Sequence, residues 1–113
     1  MPFIHTMTNV SVSASAKKAL KEELGKAISI VPGKSEQWLM LDIEGDHHLY
    51  MAGSDAPAAM VSVSLYGSAT GETYNRLTGA ITKALTGQLG ISPDRVYVKY
   101  AETEYWGWNG ENF

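Results

Sequence analysis

The chain repeats itself at an offset of 57 residues, the separation of Gly33 and Gly90, and this restricts its fold more than any local propensity. Each glycine closes a helical pattern and opens onto a strand pattern. In the first half, Ala16, Leu20, Leu24, Ala27, Ile28 and Val31 recur at helical spacing, opposite Lys17, Lys18, Lys21, Glu22 and Glu23. Ser13 is the preferred N-cap and Pro32-Gly33 the stop. In the second half, Tyr74, Leu77, Ile81, Leu85 and Leu89 form the stripe of a helix over 71–89, closed by Gly90. Adding the offset to Pro2 gives Ala59, where the second half's first strand begins. With Gly33 laid on Gly90, Leu39, Leu41 and Ile43 fall on Val96, Val98 and Tyr100. A β-α-β unit is thus used twice, over about 2–51 and 59–101, with an aromatic tail at 102–113; residues 1–113 read as one domain.

Strands are expected at Pro2–Thr8, Gln37–Glu44, Ala59–Tyr66 and Arg95–Ala101, with a short one at His47–Met51 after the Gly45-Asp46 turn. The predicted class is α+β, a four-stranded sheet carrying two helices on one face. Within a β-α-β unit the strands are parallel, so Pro2 and Lys34 fall at the same sheet edge. Antiparallel pairing of the two units brings Tyr66 to that edge as well. Trp38, Met40, Tyr97 and Lys99 point to the helix-free face, which needs cover, most simply from another subunit.

Composition removes several functions. A net charge of −3 with no basic stripe argues against nucleic acid as a main partner. No apolar run approaches the ~20 residues of a membrane span, and no basic leader with an apolar core is visible. The absence of cysteine excludes disulfides, zinc–thiolate sites and thiol catalysis. His47-His48 places two imidazoles on opposite strand faces, a poor chelate, so no metal site is expected. Gly67 to Gly71 lacks the lysine and spacing of a phosphate loop, and Asn9-Val10-Ser11 reads as a turn rather than a glycosylation site.

Pro2 carries chemistry if Met1 is removed. Its ring nitrogen, elsewhere a tertiary amide, then becomes a rigid secondary amine. An ordinary α-amino group titrates near ~8. Burial or a neighbouring cation lowers that value and frees the base at neutral pH.

These residues resemble the macrophage migration inhibitory factor branch of the tautomerase superfamily over essentially the whole chain. The matching pieces are Met1-Pro2, Gly33-Lys34, Gly53-Ser54, the run Ile91-Ser92-Pro93-Asp94-Arg95-Val96-Tyr97, and the tail Trp106-Gly107-Trp108-Asn109-Gly110 through Phe113. The resemblance implies a homotrimer whose sheets surround a central channel, with sites at subunit boundaries. The short strands at His47–Met51 and around Trp108 would pair across subunits and cover open edges.

The implied activity is cofactor-free keto–enol tautomerisation of aromatic 2-oxo acids such as phenylpyruvate, and of dopachrome-like molecules. Pro2 would be the base and Lys34 the partner of the substrate's carboxylate or carbonyl. Tyr97 would line the site from a neighbouring subunit, with Trp108 and Phe113 as an aromatic rim. Each has a structural alternative: a solvated lysine past a helix end, a tyrosine at a subunit seam, a tail sealed onto the sheet. Lys99 and Tyr66 stand where vertebrate relatives carry asparagine and isoleucine. They imply a preference for anionic substrates and a narrower pocket. Ala58 to Val61 replaces the Cys-x-x-Cys of some relatives, excluding thiol–disulfide activity. A receptor-contact arginine corresponds to Val12. The competing function is a cytokine-like interaction protein with a vestigial site and a protein receptor. The chain is expected in the cytoplasm, or secreted without a signal peptide. Decarboxylation or hydrative dehalogenation ranks last, because no acidic or arginine set accompanies Pro2.

Overall fold

The computed structural model describes all 113 residues. Strand β1 (Pro2–Thr8) leads into helix α1 (Ala14–Ala27), and β2 (Met40–Glu44) completes the first unit. Strand β3 (Ala59–Tyr66), helix α2 (Gly71–Leu89) and β4 (Val96–Thr103) form the second, and a small hairpin, β5 (Gly107–Trp108) with β6 (Glu111–Asn112), ends the chain. The sheet order is β2-β1-β3-β4. Strand β1 runs parallel to β2, β3 parallel to β4, and β1 antiparallel to β3.

The repeat extends to single contacts. Phe3 stands opposite Met40 in one unit, and Met60 opposite Tyr97 in the other, each pair 57 residues apart from its counterpart. Ser13 Oγ accepts the amide of Ala16, and Thr70 Oγ1 that of Thr73, both at 3.1 Å. Such caps satisfy helix N-terminal amides that would otherwise lack partners. Gly33 and Gly90 both take positive φ, +79° and +68°, which is where only glycine turns the chain without strain.

Leu20, Leu24 and Ile28 in α1 and its 3₁₀ extension match Leu77, Ile81 and Leu85 in α2, and all six are fully buried. They pack on the sheet face formed by Ile4, Val61, Val63 and Leu65. Truncating any one to alanine would cost about 2–5 kcal/mol. The opposite sheet face carries no helix and exposes Met40 and Tyr97.

Three expectations need correction. Residues His47–Met51 form no strand. Both sides of β1 are already paired, and Asp46 at φ +61° turns the chain so that the His47 amide reaches Thr8 O at 3.0 Å. Arg95 then clamps the following loop by donating to the carbonyls of Met51, Ser54, Ala56 and Pro57. Strand β2 begins at Met40 rather than Gln37, because Glu36–Trp38 winds into a 3₁₀ turn. Strand β4 starts at Val96 and runs on to Thr103, since Leu65 and Tyr66 offer Glu102 and Thr103 ladder partners. The strand expected around Trp108 is present, and within the chain it pairs with Glu111–Asn112 across Asn109 (φ +54°) and Gly110 (φ +85°), which form the positive-φ turn that Asn-Gly favours in two-residue hairpins.

Candidate active site

The start of β1, the end of β3 and the residue after the α1 turn meet at one edge of the sheet. Pro2 is buried there, opposite Leu65. The carbonyl of Met1 accepts the amide of Tyr66 at 3.0 Å. The turn at Pro32-Gly33 is closed by Lys34 N–H donating to Val31 O at 3.1 Å, and it aims the Lys34 side chain back over this edge. Lys34 Nζ donates to Tyr66 O at 2.8 Å and lies 5.9 Å from the centre of the Tyr66 ring. Burial first, and then the hydrogen bond and charge of Lys34, lower the Met1 α-amino group from 8.0 to about 6. An amine at this edge is therefore mostly uncharged at neutral pH.

Aromatic rings wall the same hollow. Tyr66 meets Phe113 at 5.6 Å between centroids, Phe113 stacks on Trp108 at 6.2 Å, and Trp108 meets Trp38 edge-on at 5.1 Å. The Phe113 amide donates to Trp106 O at 3.0 Å, which pins the tail in place. Met1, Pro2, Phe3, Trp38, Met40 and Trp108 line the floor and sides. The arrangement can hold a planar apolar group between rings, next to a neutral amine and a fixed ammonium.

Of the expected site residues, Pro2, Lys34, Tyr66, Trp108 and Phe113 come together in one chain. Tyr97 and Lys99 do not. Tyr97 pairs with Met60, five residues along β3 from the Leu65 that faces Pro2, roughly 17 Å at strand rise. Both side chains are exposed on β4, away from the Pro2 of their own chain. Trp38 was not among the expected site residues. Read as a strand position it pointed to the open face, and only the 3₁₀ turn swings it against Trp108.

The sequence profile described as macrophage migration inhibitory factor matches residues 1–113. The chain belongs to the macrophage migration inhibitory factor family. Within the family it is 32% identical to the factor of Meriones unguiculatus, over 100% of this chain and 99% of that protein. The crystal structure of Leishmania major MIF2 superimposes with a TM-score of 0.93 at 34% identity, covering 100% of this chain and 97% of the other. Xenopus laevis D-dopachrome decarboxylase-B is 27% identical over 97% of this chain and 95% of its own. The crystal structure of Pt0534 inactivated by 2-oxo-3-pentynoate superimposes with a TM-score of 0.78 at 25% identity, covering 89% of this chain and 85% of the other. No helix of this family member is long and apolar enough to cross a membrane.

Proposed function

We propose that the chain is a cofactor-free keto–enol tautomerase acting on aromatic 2-oxo acids and their enols, with Pro2 as the base once Met1 is removed. The observation that carries this reading is the lowered amine beside Lys34 at the buried start of β1. Removing Met1 hands the same burial and the same ammonium to the proline nitrogen. Pro2 then accepts a proton from the carbon next to the 2-oxo group, and the electron pair moves onto the carbonyl oxygen. Returning the proton to oxygen completes the enol; the reverse order regenerates the ketone. Such positioned acid–base transfer contributes about 10²–10⁴-fold.

Lys34 pairs with the substrate carboxylate, an interaction of charged groups that fixes orientation. Loss of Met1 also removes the carbonyl that accepts the Tyr66 amide. That N–H is then free to donate to oxygen as negative charge develops there. The rings of Trp38, Trp108 and Phe113 receive the substrate's aromatic group. Tyr97 and Lys99 complete the site from a neighbouring copy in a homotrimer, which also covers the helix-free face. A second reading, a cytokine-like interaction protein with a protein receptor, is favoured by the name of the mammalian relative. It does not exclude the first.

The test joins intact mass with a phenylpyruvate tautomerase assay on processed protein and on Pro2→Ala. The reading expects loss of Met1, turnover by the processed chain, and a fall of about 10²–10⁴-fold in the variant with assembly unchanged. Near-wild-type turnover by Pro2→Ala would remove the support for Pro2 as base.

A further inference from the structure

A second group of polar side chains stands on the helix-free face, on β1 and β2, away from the amine. In the β1–β2 register His5 lies opposite Asp42, and Met7 opposite Glu44. Asp42 and Glu44 are two residues apart on one strand, so both carboxylates point to the face that His5 occupies. His5 Nε2 is 3.2 Å from Glu44 Oε1 and 3.8 Å from Asp42 Oδ2. One donor atom from each of the three falls within 4.8 Å of the other two. His47 approaches from the loop beyond β2, its Nε2 2.7 Å from Glu44 Oε2.

Neither carboxylate has a lysine or arginine partner. The basic side chains within 4 Å of Asp42 and Glu44 are the imidazoles of His5 and His47. Two adjacent carboxylates with no lysine or arginine beside them concentrate negative charge, which a divalent cation neutralises. Ligands about 2.0–2.2 Å from a metal sit roughly 3.0–3.5 Å from one another. The His5–Glu44 separation already falls in that range, and the His5–Asp42 separation enters it with a few tenths of an ångström of side-chain movement. The His5 ring is stacked on Phe3, with centroids 6.0 Å apart and planes inclined by 13°, which fixes the direction of its nitrogen.

We propose that His5, Asp42 and Glu44 bind a divalent transition ion of the zinc class, with His47 holding Glu44 through its second oxygen. One imidazole nitrogen with two carboxylates suits zinc-class ions better than magnesium or calcium, which prefer all-oxygen shells. His47 is a positioning residue, since its bond to Glu44 orients a ligand. All three donors come from one chain, so the site forms in each protomer. It lies three residues along β1 from Pro2, roughly 10 Å at strand rise, and takes no part in the proton transfer proposed above. Its role is to tie the outer strand β2 to β1 on the helix-free side of the sheet.

The experiment is calorimetric titration of metal-stripped, full-length protein with zinc chloride, and with magnesium chloride in parallel. The expected result is one zinc per chain and much weaker magnesium binding. His5→Gln and Asp42→Asn should each abolish the zinc isotherm, and His47→Gln should weaken it about 10–100-fold. His48→Gln serves as the control and should bind like wild type. Circular dichroism checks that each variant is folded. Zinc-dependent elevation of the melting temperature, present in wild type and absent in His5→Gln, gives a second readout. Zinc binding should also survive Pro2→Ala, which separates this proposal from the catalytic one. It is overturned by an absence of zinc binding in wild type, by binding that survives both His5→Gln and Asp42→Asn, or by binding lost in His48→Gln.

Discussion

The two halves of the molecule share one backbone plan, yet only one carries the amine and the lysine of the candidate site. The repeat sets Pro2 against Ala59 and Lys34 against Ile91. Ala59 and Ile91 are both buried in the core, and Ile91 is 0% exposed. Lys34, at the same place after its helix, reaches out to Tyr66 O instead. A β-α-β unit therefore supplies the edge, and the residues placed there decide between packing and chemistry. The same contrast holds on the open face. The offset sets Asp42 against Lys99 and His5 against Ser62. One half is acidic where the other is basic.

Exchanging character between the halves tests this contrast. The largest effect is expected for Ile91→Lys. A lysine at a fully enclosed position leaves a charge without a partner, and the protein should fail to fold or lose several kcal/mol in denaturant melts. Ile91→Ala should cost about 2–5 kcal/mol while leaving turnover per folded molecule near wild type. Lys34→Ile, the reciprocal exchange, should do the opposite. Its melting midpoint should barely move, and kcat/KM for phenylpyruvate should drop about 10–100-fold, the consequence of losing a charged hydrogen bond. The sign of its pH effect also follows. Lys34 lowers the terminal amine, so Lys34→Ile should let that pKa rise and shift the acidic limb of the kcat/KM profile to higher pH.

A smaller effect is expected at Thr6, which the repeat sets against Val63. Thr6 is 1% exposed and its hydroxyl has no hydrogen-bond partner, while Val63 fills the equivalent place with a methyl. Thr6→Val should be neutral or stabilising by about 1 kcal/mol in urea melts, since an unpartnered buried hydroxyl is removed at nearly constant volume. A clear loss of stability would mean that the hydroxyl is satisfied in solution.

Much of this was legible in the sequence because it is written twice. Leu20 with Leu77, the stops at Gly33 and Gly90, and the strand faces at Val96 and Val98 confirm one another. That redundancy carried the fold class, the sheet pairing and the edge shared by Pro2, Lys34 and Tyr66. Single-copy features were harder to read. The 3₁₀ turn at Glu36–Trp38 interrupts an alternation that looks like strand, so the place of Trp38 in the aromatic wall was hidden. The hairpin at Asn109-Gly110 has a local turn signal, but its two-residue strands are too short to show alternation. The grouping of His5 with Asp42 and Glu44 depends on the β1–β2 register, which no local pattern contains. His47-His48 is the only adjacent imidazole pair in the sequence, whereas in the folded chain His47 turns to Glu44.

The account rests on an amine at the start of β1 that is uncharged at neutral pH. The most direct measurement is a nitrogen NMR titration of processed protein labelled with ¹⁵N-proline, run beside the pH profile of kcat/KM. The Pro2 nitrogen should titrate well below the ~8 of an ordinary α-amino group, with a midpoint matching the acidic limb of the rate. A midpoint at or above that ordinary value, or turnover by protein whose Pro2 nitrogen is still an amide to Met1, would contradict it.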